Sequence, residues 1–348
     1  MPKASRLIFL LALFSAIGWS AATAGVTGDP DKGYAASEPP RCRGANLVNR
    51  LATSDPSLHD RIVEAAGATE NGDALLWKIE RSGRPPSHLF GTVHLTDARV
   101  RAISSATRTA LRNARHVLLE TSEVSSSATT RALLRAAKAA VYTDGRTLDA
   151  LLTKDEFKKV LKTVGRSGIP AKAVRLYRPW MISMLLSGSA CERRRLQEGE
   201  VVLDMALAEE ARIHGIPVTG LETADEQIKI LASVPEDQQI GMLRANLALI
   251  DDTDNLMETM IQLYLDRQIG AVWELQMVLA EEAGVSSSSF DGFRQAVIVD
   301  RNATMLDASL PAFNKGGVFM AVGALHLPGE KGLVALLRRA GYTVTPVE

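Results

Sequence analysis

The chain has 348 residues, 46% of them apolar, and its 40 basic side chains balance its 40 acidic ones, so the formal net charge is zero. This balance does not favour binding to nucleic acid or to an anionic membrane surface. The length supplies enough apolar material for a large core and would allow two domains.

The first 24 residues have the pattern of a secretory signal peptide. Two basic residues, Lys3 and Arg6, precede an apolar run, and an A-x-A cleavage site ends at Ala24. The run is shorter than the roughly 20 apolar residues that span a bilayer. We therefore expect cleavage after about Ala24 and a periplasmic or secreted protein that has no membrane span. Residues 25–40 are rich in Gly and Pro and are predicted to form a flexible leader.

The two cysteines of the chain are Cys42 and Cys191. Because the compartment of an exported protein is oxidising, we predict a disulfide bond between them, which would tie the N-terminal segment to the middle of the fold. The alternative is two separate buried thiols. The two cysteines have no C-x-x-C spacing, so they form neither a redox motif nor a thiolate zinc site.

Strands and helices alternate along the rest of the chain. Strand-like segments occupy residues 74–80, 87–94 and 116–121, and the region from about 125 to 307 repeats its apolar residues at the helical period of 3.6. Residues 255–282 form the longest of these helical runs. One strand interrupts the helical region at 216–223. The chain ends with a strand, a helix and a strand, at 317–324, 331–340 and 342–348.

This order predicts an α/β fold with a largely parallel sheet. The strands come from both ends of the chain, so the helical region at about 125–307 is predicted to be an insert packed on a sheet that the C-terminus completes. We therefore expect one domain over residues 41–348.

Four predicted strands are followed by a histidine or a glutamate. His94 and His326 stand in matched G-x-x-H-L settings, and Glu120 and Glu222 follow two further strands. Ligands bind outside the carboxyl ends of parallel strands, so these four side chains are expected at one edge of the sheet. Two imidazoles and two carboxylates suit a divalent metal with open positions, or a metal-free acid/base cluster. Taken singly, each could equally be a hydrogen-bonded turn residue or a charge at a helix N-terminus.

Arg301 lies in a helical segment just before the last G-x-x-H strand. A cation there could hold a substrate carboxylate or stabilise an oxyanion. Spacing alone favours an ordinary surface or salt-bridged arginine. Trp180, which follows a helix-starting Pro179, is expected in the core. The sequence has no G-x-S-x-G, H-E-x-x-H, Walker or G-x-G-x-x-G motif, which removes the usual support for serine hydrolases, zincins, P-loop enzymes and Rossmann enzymes.

Several motifs, in order from about residue 74 to the C-terminus, resemble the TraB/GumN family. They are "LLWKIERSGRPPSHLFGTVHLTDARV", "HVLLET", "LDMALAEEARIHGIPVTGLETADEQI", "DRNATM" and "FMAVGALHLPGEKGLVALLRRAGYTVTPV", with "RCRGANLV" and "SACERRR" around the two cysteines. The family is related to the Tiki proteases, which use manganese or cobalt, and more distantly to erythromycin esterases and ChaN-like proteins. The resemblance implies paired G-x-x-H histidines, acidic residues and an arginine around one cleft. It matches them to His94 and His326, to Glu120 and Glu222, and to Arg301.

The resemblance implies an exported metal-dependent hydrolase, and among hydrolases it favours a peptidase. His94, His326 and one or both glutamates, Glu120 and Glu222, would hold a divalent metal, with Mn or Co favoured and Zn possible. The other glutamate would accept a proton, and Arg301 would stabilise the oxyanion. One alternative is a non-catalytic protein that captures a peptide, haem or another small ligand; another is metal-free esterase chemistry with a histidine as base. The motifs choose neither a peptide nor a small-molecule substrate, and they leave the oligomeric state open.

Overall fold

The structure is a computed structural model that describes residues 44–122, 137–165 and 169–348. The predicted signal peptide, the leader and Cys42 lie outside the described residues. Export, signal cleavage and the bond between Cys42 and Cys191 therefore stay predictions. Within the described ranges, no helix is both long enough and apolar enough to cross a membrane.

The sheet has six strands in the spatial order β4-β3-β5-β2-β1-β6. Their bounds are Leu76–Glu80 (β1), Ser87–Thr92 (β2), His116–Leu119 (β3), Val218–Gly220 (β4), Val318–Gly323 (β5) and Thr343–Pro346 (β6). Strands β4, β3, β5 and β2 run parallel, whereas β1 pairs antiparallel with both β2 and β6. The predicted α/β class, with a largely parallel sheet built from both ends of the chain, is confirmed.

Strand β5 lies between β2 and β3, although about 200 residues or more separate it from both along the chain. Its register pairs Thr92 of β2 with Gly323, and Leu119 of β3 with Ala321. These pairs lie at the last residues of β2 and β3. The register therefore brings the carboxyl ends of three parallel strands to one edge of the sheet, and β4 adds a fourth beside β3.

Helices make up most of the chain between β3 and β5. The α-helices of the described residues are Leu47–Ser54, Pro56–Ala68, Ala98–Arg101, Ser105–Arg112, Ala137–Ala140, Lys154–Val164, Ala171–Val174, Pro179–Leu186, Ala190–Gln197, Leu203–Ile213, Ala224–Ser233, Glu236–Ala248, Thr253–Leu265, Ile269–Glu282, Asp291–Phe293, Arg301–Phe313 and Leu333–Arg339. Local sequence explains several of their starts. Thr223 begins one with a capping box that uses Glu226, and Pro179 occupies the first turn of another.

The helical run predicted over 255–282 is two helices in the structure. The first ends at Leu265 and the second begins at Ile269. Arg267, between them, has a φ of 60°, a left-handed conformation that ends an α-helix. The apolar period continues across the break, so periodicity alone gave no sign of the turn.

Apolar side chains cover both faces of the sheet, because successive residues of a strand point to opposite sides. On β5, Phe319 and Ala321 join the larger core, formed with most of the helical region. Met320 and Val322 join a second core beneath the helices near the C-terminus. Trp180 is buried, as expected from the sequence. Both faces are thus closed, and polar groups concentrate at the edge where the parallel strands end.

Candidate functional site at the carboxyl edge of the sheet

The five site residues expected from the sequence lie together at the carboxyl edge of the parallel strands. His94 follows β2 by two residues, Glu120 follows β3 directly, and Glu222 follows β4 by two. His326 ends a short 3-10 helix, Ala324–His326, that continues from β5. All four side chains are buried, and so is Arg301. The structure thus brings together every residue that strand-end position and family resemblance singled out.

The two glycines of the G-x-x-H motifs let the strand ends approach each other. A Cβ atom at Gly323 would lie 3.1 Å from Glu120 Oε1, and one at Gly91 would lie 3.1 Å from the Cα of Ala324. Both contacts are tighter than ordinary packing. The amide N–H of Gly323 also donates to Glu120 Oε1 over 2.6 Å. Glycine at both positions therefore brings the backbone close enough for Glu120 to reach the space between the histidines.

Arg301 ties the two glutamates together. Its Nε donates to both carboxylate oxygens of Glu222, over 3.1 and 3.0 Å, and its Nη2 donates to Glu222 Oε2 over 2.8 Å and to Glu120 Oε2 over 2.6 Å. Burial lowers the pKa of the Arg301 guanidinium, but the two carboxylates raise it above its ordinary value. Burial likewise raises the pKa of Glu120, but Arg301 and the histidines hold it well below its usual range. Arg301 and Glu120 therefore stay ionised at neutral pH.

His94 is oriented by a carboxylate that the sequence did not reveal. Its Nδ1 donates to Asp204 Oδ2 over 2.7 Å, and the Thr92 hydroxyl donates to Asp204 Oδ1 over the same distance. Its Nε2 lies 3.9 Å from Glu120 Oε1. Burial lowers the pKa of His94, but the charge and hydrogen bond of Asp204 outweigh it and raise the pKa to about 9.

His326 is oriented by a neutral amide. The Asn302 amide nitrogen donates to the backbone carbonyl of Lys331 over 2.8 Å, so its Oδ1 faces Nδ1 of His326 at 2.7 Å and accepts that N–H. The lone pair of Nε2 then faces Nη1 of Arg301 at 3.3 Å and Glu120 Oε1 at 3.7 Å. Burial, with Arg301 and His94 nearby, lowers the pKa of His326 to about 3, although Glu120 opposes the shift.

Three residues next to the site could not be identified from the sequence. Asp204 lies in the first turn of the helix Leu203–Ile213, and Asn302 follows Arg301 directly. Gln227, on the helix Ala224–Ser233, places its amide nitrogen 3.4 Å from an oxygen of each glutamate. The sequence pattern that could have pointed to them is a polar residue on the core-facing side of a helix; Asp204 and Asn302 are both buried. Such a pattern indicates that the side chain is buried, but it does not show which residue the side chain contacts.

The donor set of this edge fits a metal ion in part. Each imidazole has its Nδ1 hydrogen-bonded to an oxygen and its Nε2 directed towards Glu120 Oε1, the outer arrangement usual for metal-binding histidines. The Nε2–Oε1 distances of 3.9 and 3.7 Å exceed the roughly 3.0–3.4 Å between ligands that bind an ion at about 2.1 Å. Among the described residues, no three His, Cys, Asp or Glu side chains form a ready metal-binding group. The site therefore matches a metal centre in the orientation of its imidazoles but not in the distances from Nε2 to Glu120 Oε1.

A cleft of about 70 Å³ opens above these polar groups. His94, Glu120, Arg301 and His326 form its floor together with Gly323. The opposite wall is apolar and comes from the helical region. The floor is thus reached through a largely apolar entrance, the general form of a small-molecule or peptide site.

The TraB/PrgY/gumN family model matches residues 75–346, which include all five site residues. The chain belongs to this family. The resemblance expected from the motifs is therefore confirmed, and the match extends from the first strand of the sheet to the last.

Two bacterial relatives of this family member carry a name without a function. The uncharacterized protein YbaP of Shigella flexneri is 26% identical over 279 residues, which cover 79% of this chain and 98% of the relative. YbaP of Escherichia coli (strain K12) is 25% identical over the same shares. A metalloprotease TIKI homolog of Nematostella vectensis is 24% identical over 80% of this chain and 68% of its own length. No solved structure matches the chain significantly.

Proposed function

We propose that this TraB/PrgY/gumN protein is an exported, metal-dependent hydrolase that cleaves peptide bonds. One observation carries the proposal: two buried imidazoles, His94 and His326, each have Nδ1 fixed by an oxygen and direct Nε2 towards the same carboxylate oxygen, Glu120 Oε1. The similarity to a protein named as a metalloprotease supports the choice of chemistry.

His94 and His326 would hold the ion, and Glu120 would lie beside it as the base. Mn²⁺, Co²⁺ and Zn²⁺ are the candidate ions; when bound, such an ion polarises a carbonyl and makes water acidic enough to act as a nucleophile near neutral pH. The fixed Nδ1 partners keep both rings in one orientation, so the site is organised before substrate arrives.

Glu120 and Arg301 would perform the proton transfer and the charge stabilisation. Water oxygen adds to the carbonyl carbon and loses a proton to Glu120, which lies between the two Nε2 atoms. The C–N bond then breaks, and Glu120 returns the proton to the departing amine. The products are a carboxylic acid and an amine. The guanidinium of Arg301 lines the cleft and would stabilise the negative oxygen of the intermediate.

Glu222 would act through Arg301. Both of its oxygens accept hydrogen bonds from the guanidinium, and Glu222, unlike Glu120, is not among the residues that line the cleft. The sequence did not decide which glutamate accepts the proton. We assign that role to Glu120, and we assign to Glu222 the positioning of Arg301. This assignment predicts that Glu120→Gln lowers kcat far more than KM.

The test is hydrolysis of a mixed peptide library by the purified protein, followed by mass spectrometry, with Mn²⁺, Co²⁺ or Zn²⁺ added back after chelation. The proposal expects cleavage that depends on the ion and is abolished by Glu120→Gln. The variant should keep the wild-type fold, because the substitution conserves shape. Peptide binding without cleavage would instead favour the alternative of a non-catalytic protein that captures a ligand.

A metal-free acid/base mechanism is the second candidate, and the contrast between the two histidines favours it. His94 has a pKa raised to about 9 by Asp204, whereas burial lowers that of His326 to about 3. Two titratable groups pushed in opposite directions are typical of an acid and a base that share one site. Cleavage of ester or peptide substrates that continues undiminished in excess chelator would select this mechanism over the metal-dependent one.

A further inference from the structure

One wall of the cleft is made of apolar side chains from three α-helices and from the π-helix Arg294–Asp300, which leads into the helix of Arg301. They are Ile230, Leu231, Met260, Ile269, Val272 and Val297. Tyr264 also lines this wall, and its hydroxyl donates to the Gly91 carbonyl over 2.8 Å. Its ring therefore adds to the apolar surface. Among the lining residues that the structure describes, the charged ones all belong to the floor.

One helix face connects the floor to this wall. On the helix Ala224–Ser233, Gln227 contacts both glutamates of the site, and Ile230 and Leu231 follow three and four residues later on the same face. Side chains at this spacing are about 5–6 Å apart. An extended peptide advances about 3.3–3.6 Å per residue. The apolar surface therefore begins where the side chain next to a carbonyl held over Glu120 would lie.

We propose that this wall is a specificity pocket for a large apolar side chain, such as leucine or phenylalanine, on the residue beside the hydrolysed bond. The proposal rests on the proposed function for the bond that is broken. Burying an aliphatic or aromatic side chain against the wall is favourable, whereas a charged one would lose its water without gaining a partner. The pocket thus selects by desolvation, while the floor supplies the chemistry.

The experiment uses the peptides acetyl-Gly-Gly-Xaa-Gly-Gly-amide with leucine, phenylalanine, alanine, lysine or glutamate at Xaa. Binding is measured on the inactive Glu120→Gln protein, and cleavage is measured on the active protein. We expect leucine and phenylalanine peptides to bind and to be cleaved at least about tenfold better than lysine and glutamate peptides, within the range that a single apolar side chain supplies.

Ile230→Lys is the specific variant, because Ile230 is half-buried and can accept a longer side chain. It should lose the preference for leucine at least tenfold and gain binding of the glutamate peptide. Ile213→Lys is the matched control; Ile213 is 73% exposed, on a helix outside the cleft, and the substitution should change neither binding nor cleavage. If Ile230→Lys fails to fold, Ile230→Ala should shift the preference from leucine towards phenylalanine at least about threefold.

The outcomes separate the pocket from the chemistry. Binding with the apolar preference but without cleavage would support the pocket and overturn the hydrolase. Cleavage that is indifferent to Xaa, or equally altered by Ile213→Lys, would overturn the pocket and leave the hydrolase standing. No binding of any of these peptides to Glu120→Gln, together with no cleavage by the active protein, would overturn both.

Discussion

The two G-x-x-H strand ends have the same motif but different environments. After β2, His94 donates to the carboxylate of Asp204; after β5, His326 donates to the amide oxygen of Asn302. The charged partner raises the pKa of His94 to about 9, and burial beside a neutral partner lowers that of His326 to about 3. The motif thus places an imidazole at the sheet edge. A helix from elsewhere in the chain decides how firmly that imidazole holds a proton.

Removing Arg301, the cation that pairs with both glutamates of the site, should have the largest effect on stability. Arg301→Leu would leave Glu120 and Glu222 buried without a counter-charge. Breaking such a pair costs about 3–5 kcal/mol of unfolding free energy. Urea unfolding measures it, with Arg244→Leu as the control, because Arg244 is exposed and its ion pair with Glu156 should be worth under about 1 kcal/mol. Equal losses in the two variants would contradict the central role of Arg301.

The two histidines should give the metal-free protein opposite pH dependences. Since the folded pKa of His94 lies above the ordinary 6.5, its stabilisation is fully present below pH 6.5 and is lost as the pH rises towards 9. For His326 the folded pKa lies below 6.5, so stability is lost as the pH falls from 6.5 towards 3. At about 1.4 kcal/mol per pKa unit, the full effect should be roughly 3 kcal/mol for His94 and roughly 5 kcal/mol for His326.

Unfolding curves in chelator at pH 5, 6.5, 8 and 9 test this contrast. His94→Gln should remove most of the loss above pH 6.5, and His326→Gln should remove part of the loss below it. A wild-type curve that is flat between pH 6.5 and 9 would show that Asp204 does not hold a proton on His94.

Replacing Asp204 and Asn302, the Nδ1 partners of the two histidines, should lower metal affinity to different degrees. Loss of an outer partner typically lowers metal affinity about 10–100-fold. Asp204→Asn should approach the upper end of that range, because it removes both a charge and the anchor of Thr92; Asn302→Ala should fall near the lower end. Isothermal titration calorimetry measures the metal affinity of each variant. A larger loss in Asn302→Ala than in Asp204→Asn would reverse the assigned order.

The two glycines should show the smallest and most local difference. An added methyl at Gly91 meets the backbone of Ala324, which cannot move alone, whereas one at Gly323 meets the end of the Glu120 side chain. We expect Gly91→Ala to cost about 1–3 kcal/mol. Gly323→Ala should cost less than this and should mainly disturb activity, because Glu120 would shift. Thermal unfolding and peptide cleavage, measured on both variants, compare the two effects.

Much of the fold could be predicted because its signals are local. Alternating apolar strands and helices indicated the parallel sheet, and the residues after each strand indicated the edge to which His94 and His326 belong. The break at Arg267 left no mark on the apolar period. The pairing of Asp204 with His94 joins residues 110 positions apart, and only the fold brings them together. Arg301 resembled an ordinary surface arginine by spacing. Burial between two carboxylates, a tertiary property, gives it its role.

The central claim is that the two strand ends form one metal site. Isothermal titration of the chelated protein with Mn²⁺, Co²⁺ and Zn²⁺ tests it most directly, beside the His94→Ala/His326→Ala double variant, with circular dichroism to show that both are folded. The account predicts that about one ion binds per wild-type chain and that none binds the folded variant. Undetectable binding to the wild type, or equal binding to both proteins, would contradict it.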